Sequence, residues 1–203
     1  MADALDYILT KFGLATAAPS PSEVRLSRHG GLTKLWAELG YRKLAEIGTE
    51  AGRFAEEICR DNPEAHLTCI DPWLAYDRYK DHVDQWRLDH FYKAAVSRLE
   101  KYNTTLIRET SLDAAKRFEP GSFDAVFIDG NHAFDFVVQD IIAWAPLVRA
   151  GGMLCGHDYK PEGREHKPIP FGVIEAVTGY THAHKLKYFV TKGDKCPSWM
   201  WVC

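Results

Sequence analysis

The stretch Leu44-Ala45-Glu46-Ile47-Gly48-Thr49-Glu50-Ala51-Gly52-Arg53-Phe54, followed by Ile70-Asp71-Pro72-Trp73, decides the fold. An apolar run carrying Glu46 gives way to two glycines, Gly48 and Gly52, and then to a helical pattern. A second apolar run ends in Asp71. Strand, glycine turn, helix and strand form the repeating unit of an open parallel sheet, which takes ligands at the carboxyl ends of its strands. Gly48 lets the backbone turn sharply and come close to a ligand with no Cβ in the way.

Outward from that unit, strands and helices alternate. Lys43–Ile47 and His66–Ile70 read as successive strands with a helix over Arg53–Asp61 between them. Residues 76–102 form a long, mostly helical segment rich in Tyr, Trp, His and charge. A third strand is expected over 104–108, a short helix over 112–118, and a fourth strand over 125–128, whose unbroken Ala-Val-Phe-Ile suits cover on both faces. An amphipathic helix over 134–149 carries Val137, Val138, Ile141, Ala145 and Val148, and Gly151-Gly152 is expected to stop it before a fifth strand at 153–155. A helix over 171–180 follows, and 186–191 with 198–202 read as a closing hairpin. Ahead of the first strand lie a short helix over 3–12, a Pro/Ser loop over 17–22, and the helical stripe Leu32, Leu35, Trp36, Leu39. With no repeat, low-complexity tract or linker, residues 1–203 read as one domain with a preface over 1–30.

The chain's 203 residues suffice for a substantial core. Its net charge of −3, with Lys and Arg scattered among acids, gives no footprint for nucleic acid. No apolar run reaches membrane-spanning length, and the acidic N-terminus lacks the build of a signal peptide, so a cytoplasmic location is expected. Cys59, Cys69 and Cys155 fall in helix or strand patterns and read as buried thiols. Cys196 and Cys203 flank the last strand, where a reducing compartment disfavours a bridge. Trp199 and Trp201, if exposed, are candidates for a contact between copies in a homo-oligomer.

Glu46, Gly48 and Asp71, joined by Glu109-Thr110-Ser111 after the third strand, resemble the cofactor cradle of the class I S-adenosylmethionine (SAM) methyltransferases. The resemblance implies an α/β fold: a three-layer Rossmann-like sandwich around a seven-stranded, mostly parallel sheet of order 3-2-1-4-5-7-6 with strand 7 antiparallel. It implies that Asp71 accepts from the two ribose hydroxyls and that Ser111 lies beside the adenine, a residue whose simpler role is to cap the next helix. Trp73 is a candidate to stack on the adenine or to serve as core. Gly48, Thr49 and Gly52 form the turn, and Asp129 closes the cradle from the fourth strand. The dinucleotide fingerprint Gly-x-Gly-x-x-Gly is missing, because Thr49 stands between Gly48 and Glu50. Glu46 and Glu50 would also repel a pyrophosphate, whereas they suit the amine-bearing, cationic methionine end of SAM.

A second constellation concerns the reacting end. Asp129-Gly130-Asn131-His132 and Gly156-His157-Asp158-Tyr159 each follow an apolar strand and so project from the same sheet edge. Asp129 and Asp158 can share a divalent cation, with His157 as a further ligand; oxygen donors favour Mg²⁺, Ca²⁺ or Mn²⁺ and the imidazole shifts the preference toward transition metals. With Asp140 and Gly151-Gly152, these motifs resemble methyltransferase family 24 over about residues 40–160, and are similar to the metal-dependent macrolide-sugar O-methyltransferases and, more distantly, to catechol O-methyltransferase. The resemblance implies catalysis by Asp129 and His132, with His132 as the base for an acceptor hydroxyl, and a metal on Asp129, His157 and Asp158. His157 departs from the family, which has an acid there. The plainer roles are a helix cap or a partner of Asp129 for His132, and a helix-capping, loop-ordering pair for His157 and Asp158.

Tyr76, Tyr79, His82, Trp86 and His90 are candidates for a substrate wall, and the loop 160–168, with Glu162, Arg164, Glu165 and His166, for a lid. The reading is a SAM-dependent O-methyltransferase of a small molecule. Metal-independent N- or C-methylation on the same fold and a SAM- or nucleotide-binding module without turnover are the alternatives, and the glycine spacing disfavours an NAD oxidoreductase.

Overall fold

Strands that are apolar on both faces need a helical layer on each side, and this chain supplies both. The computed structural model describes residues 3–76, 84–161 and 171–203. In chain order it contains α1 (Ala4–Phe12), β1 (Ser22–Val24), α2 (Thr33–Glu38), β2 (Lys43–Ile47), α3 (Arg53–Asp61), β3 (His66–Ile70), α4 (Gln85–Leu99) and β4 (Thr104–Ile107). Then come α5 (Ser111–Ala115), β5 (Phe123–Ile128), α6 (Phe134–Trp144), β6 (Val148–Gly156), α7 (Val173–Ala183), β7 (Tyr188–Thr191) and β8 (Trp199–Val202). Alternate strand residues feed two cores. Leu44, Phe127 and Cys155 pack with Leu35 and Trp36 of α2 and with Phe54 and Ile58 of α3. Ala45, Val126, Ile128 and Leu154 face Val137, Ile141 and Trp144 of α6 and Ala176 and Val177 of α7.

The sheet runs β1-β7-β8-β6-β5-β2-β3-β4. β8 is antiparallel to β6 and β7, and the remaining pairs are parallel. The expected order of seven strands is therefore present, but the sheet has eight. The extra edge strand, β1, comes from the end of the Pro/Ser stretch and pairs Ser22, Glu23 and Val24 with Phe189, Val190 and Thr191. Three residues are too few for an alternation to announce itself.

A second difference lies at the end of α6. The helix stops at Trp144 rather than near 149. Pro146 follows in a short turn, Ala145–Leu147, and a proline lacks an N–H and crowds the carbonyl four residues back. The chain enters β6 at Val148, so Gly151-Gly152 sit inside a strand whose pairing with β5 shifts register after Phe123. A Cβ on Gly152 would lie 2.5 Å from the Asp124 carbonyl oxygen, so the glycine permits this irregular crossing.

Register aligns the strand ends that matter. Ile47 pairs with both Ile70 and Ile128, and Ile128 pairs with Gly156. Gly48, Asp71, Asp129 and His157 each follow one of these residues and emerge side by side. Because β8 is antiparallel and pairs Trp199 with Gly156, the 192–198 turn reaches the same edge. Parallel β1 delivers the segment after Val24 there too: Lys192 N and Gly193 N donate to the Val24 and Leu26 carbonyls, and Arg28 N donates to the Asp194 carboxylate.

All five thiols are free, with Cys59, Cys69 and Cys155 buried. Trp199 and Trp201 are buried and stacked, with Trp201 also on Tyr180; they are core, and the reading of them as a contact between copies falls away. Among the described residues no helix is long and apolar enough to cross a membrane.

Candidate active site

The cradle is built by close approach. Gly48 has φ +91°, and a Cβ there would lie 2.1 Å from the Asp129 carbonyl oxygen. Its N–H donates to the Ile70 carbonyl at 2.8 Å, tying the turn across to β3. Gly52, at φ +71°, opens α3. Asp71 accepts from Glu50 N at 2.9 Å and from Trp73 N at 2.8 Å, so its carboxylate orders both loops. Burial raises its pKa to about 6 against the pull of those two N–H groups.

Glu46 is 2 % exposed, and its Oε2 has no hydrogen-bond partner. Burial, reinforced by Asp129 and Asp71, pushes its pKa to about 8, although the Thr49 hydroxyl and Arg28 pull the other way. A buried acceptor with an unused oxygen fits a cationic ligand group. The ligand-free protein carries a stability signature of this burial. Between about 4.5, the ordinary glutamate value, and about 8, the folded chain keeps a proton that the unfolded chain has released. Glu46 therefore makes stability fall as pH rises across that window. Melting curves of wild type and Glu46→Gln should show the mutant gaining relative to wild type from about pH 5 to about pH 8; a constant difference would mean that Glu46 is ionised throughout.

Two expected adenine neighbours are turned elsewhere. Trp73 is fully buried with φ +42°, its Nε1 donates to the Glu50 carbonyl at 2.8 Å, and its ring packs on Tyr92. It is core, with no face left for a ligand. The Ser111 hydroxyl accepts from Trp144 Nε1 at 2.8 Å and offsets part of the burial that raises the pKa of the Asp140 carboxyl, which lies beneath Gly130. The cap of α5 is made instead by Thr110, which accepts from Asp113 N.

The reacting-end residues do come together. His132 Nε2 lies 2.8 Å from Asp158 Oδ2 and 3.7 Å from Asp129 Oδ1. His157 Nδ1 lies 3.2 Å from Asp158 Oδ2 and 3.7 Å from Asp129 Oδ1. Burial opposes ionisation of both aspartates, yet these contacts together hold Asp129 at about 2 and drive Asp158 far below the carboxylate range. Desolvation would lower His157, but the two aspartates outweigh it and raise the imidazole to about 9. His157 therefore stands as a cation at neutral pH and is not a base there. The His132 ring packs 4.7 Å from Phe171, and its carbonyl accepts from Gly172 N. Beside it opens a cavity of about 340 Å³ lined by Ala133, Phe134, Asp135, Phe171, Gly172 and Glu175. Neither His132 nor the His157–Asp158 pair acts as a helix cap: α6 starts after Ala133 and α7 after Gly172.

Two site residues escape a reading of the sequence. Arg28 reaches in from the strap after β1, with Nη1 2.9 Å from Asp129 Oδ2. Cys196, in the β7–β8 turn, has Sγ 2.6 Å from Asp158 Oδ1. Two sets of donor atoms, Asp129–His132–Asp158 and His157–Asp158–Cys196, each lie within 4.8 Å of one another inside the set. Imidazole, carboxylate and thiolate together suit a transition metal better than Mg²⁺. Of the wall residues, Tyr76 accepts from Asn131 Nδ2 at 3.1 Å and so meets the end of β5, whereas Trp86 is exposed and stacks on His90. Tyr79 and His82, and Glu162, Arg164, Glu165 and His166 of the loop expected to form a lid, lie outside the described residues.

The model of a family described as a methyltransferase domain, methyltransferase family 24, matches residues 45–159. No curated protein matches the sequence significantly. Among solved structures, the chain is similar to an O-methyltransferase from Bacillus cereus in complex with SAH (16 % identity, TM-score 0.61, covering 100 % of this chain and 92 % of that one). It is also similar to TomG, an O-methyltransferase of tomaymycin synthesis from Streptomyces achromogenes solved with SAM (19 % identity, TM-score 0.59, covering 100 % and 90 %). A third is the precorrin-6y C5,15-methyltransferase of Geobacter metallireducens (14 % identity, TM-score 0.53, covering 83 % of each chain). At these identities the likeness is one of fold.

Proposed function

This chain belongs to methyltransferase family 24, and on that premise we propose that it moves a methyl group from SAM to a hydroxyl of a small molecule, with a divalent metal at the acceptor. The observation that carries the reading is the alignment of Glu46, Gly48, Asp71 and Asp129 on one sheet edge, next to the His132–Asp158 pair. SAM, when bound, supplies an electrophilic methyl. Glu46 offers its buried oxygen to the cationic methionine end. Asp71, held by two backbone N–H groups, presents its remaining lone pairs to the ribose. Gly48 keeps the turn open. His132 takes the acceptor's proton, oriented by Asp158. With His132 kept for the proton, His157, Asp158 and Cys196 are the donor set that would hold a metal, with Asp129 beside it, and the metal's charge would lower the pKa of the acceptor hydroxyl.

One observation favours transfer without metal. Arg28 already neutralises one oxygen of Asp129, and cationic His157 sits between Asp129 and Asp158. The separating experiment is calorimetric titration with SAM and NADH, followed by turnover of a panel of small hydroxyl acceptors with and without a chelator. SAM should bind and NADH should not, and the chelator should abolish turnover. Turnover and metal content that both ignore the chelator would leave the metal-free account standing.

A further inference from the structure

The cradle and the cluster beside it are rich in acceptors: Glu46, Asp71, Asp129 and Asp158 all face the strand ends. The methionine end of SAM carries a carboxylate as well as an ammonium group. Beside the carboxylates of Asp71, Asp129 and Asp158, that carboxylate is best received by a cation. Arg98 and Arg108, on the far flank of the cradle, are committed to Glu56 and Asp89. His157 is engaged by two aspartates. Arg28 is placed differently. Its side chain is only 18 % exposed. Its guanidinium lies 5.0 Å from the ring of Phe54, in the first turn of α3, and close enough to Glu46 and His157 for its charge to act on both. It therefore lies between the cradle and the reacting end. Nη1 is used on Asp129 and Nη2 lies 3.2 Å from His29 Nε2, while Nε is buried with no hydrogen-bond partner. An orphaned N–H on a buried guanidinium is costly unless a ligand satisfies it.

Given the SAM reading above, we propose that Arg28 receives the methionyl carboxylate of the cofactor while Asp129 holds the guanidinium in position. The fork of a guanidinium suits this double duty, one edge on Asp129 and another on the incoming carboxylate. The strap bearing Arg28 is fixed to the sheet through Lys192, Gly193 and Asp194, so the cation is pre-placed.

The test is calorimetry with two ligands, S-adenosylhomocysteine and 5′-methylthioadenosine, which share the nucleoside while only the first carries the amino-acid end. Arg28→Met should weaken S-adenosylhomocysteine by roughly ten- to a hundredfold, the effect of losing a charge-assisted hydrogen bond, and leave methylthioadenosine within about twofold. Methylthioadenosine binding doubles as the control for an intact fold. Arg28→Lys should recover part of the loss, because it restores charge without the fork. Unchanged S-adenosylhomocysteine affinity in Arg28→Met overturns the proposal and leaves the SAM reading intact. Equal weakening of both ligands also overturns it, making the arginine a structural clasp. Wild type that binds neither ligand overturns the SAM reading and this proposal with it.

Discussion

Gly48→Ala should be the most destructive single-methyl change in the cradle, lowering stability by about 2–5 kcal/mol. Two costs add. A side chain in left-handed backbone costs about 1–2 kcal/mol, and Gly48 sits at φ +91°. Crowding a packed site costs about 1–3 kcal/mol. Here the added Cβ would meet backbone, 2.1 Å from the Asp129 carbonyl oxygen and 2.8 Å from Gly130 Cα, and backbone cannot rotate aside as a side chain can. At about 2–4 °C per kcal/mol for a chain of this size, the melting temperature should fall by roughly 4–20 °C. The control is Gly13→Ala. Gly13 has φ +63° with nothing within 4 Å of the added Cβ, so it isolates the backbone cost. Relief of the Gly48 clash requires moving Asp129, so cofactor affinity should fall as well. If Gly48→Ala melts no lower than Gly13→Ala, the turn does not press on the end of β5 as described.

The same close approach explains what a sequence can and cannot disclose about this site. Glu46, Asp71, Asp129 and His157 were legible because each lies at or just past the end of an apolar run, and parallel register carries such ends to one edge. Periodicity locates the strand ends, and ligands gather where strands finish. Arg28 was not legible. Its position depends on β1, whose three residues pair with β7 from the far end of the chain. Cys196 depends on the antiparallel register of Gly156 with Trp199, which follows from how the hairpin joins the sheet. Side-chain direction was the other blind spot. Trp73 and Ser111 stand at the expected strand ends, but the positive φ of Trp73 and the Trp144 indole beside Ser111 turn both inward. Pro146 was legible in principle: a proline within an otherwise helical pattern is the signal that α6 ends early.

His132→Ala should lower turnover by roughly 10²–10⁴-fold, the usual yield of acid–base catalysis, while leaving SAM affinity nearly intact. The geometry gives the histidine an orienting partner, Asp158, at 2.8 Å from Nε2. If the Nε2 proton is directed at that carboxylate, the lone pair sits on Nδ1, the arrangement by which an acid fixes the tautomer of a catalytic histidine. Packing on Phe171 and the Gly172 N–H at its carbonyl hold the ring and backbone in place. Only a neutral imidazole accepts a proton, so turnover should rise with pH through the range in which imidazole titrates. A bound metal would blunt the effect, because it acidifies the acceptor and leaves less work for a base. The comparison that decides is turnover of wild type, His132→Ala and His132→Gln at saturating SAM, with and without added metal, across pH. The glutamine variant keeps a side chain able to hydrogen-bond Asp158 but cannot take up a proton, so a base predicts loss in both variants and loss of the wild-type pH profile. Wild-type rates and an unchanged profile in His132→Gln, with only His132→Ala impaired, would make His132 a positioning partner of Asp158. The base would then have to be sought elsewhere, and a protonated His157 could serve only once deprotonated above about pH 9 or relieved of its proton by a metal.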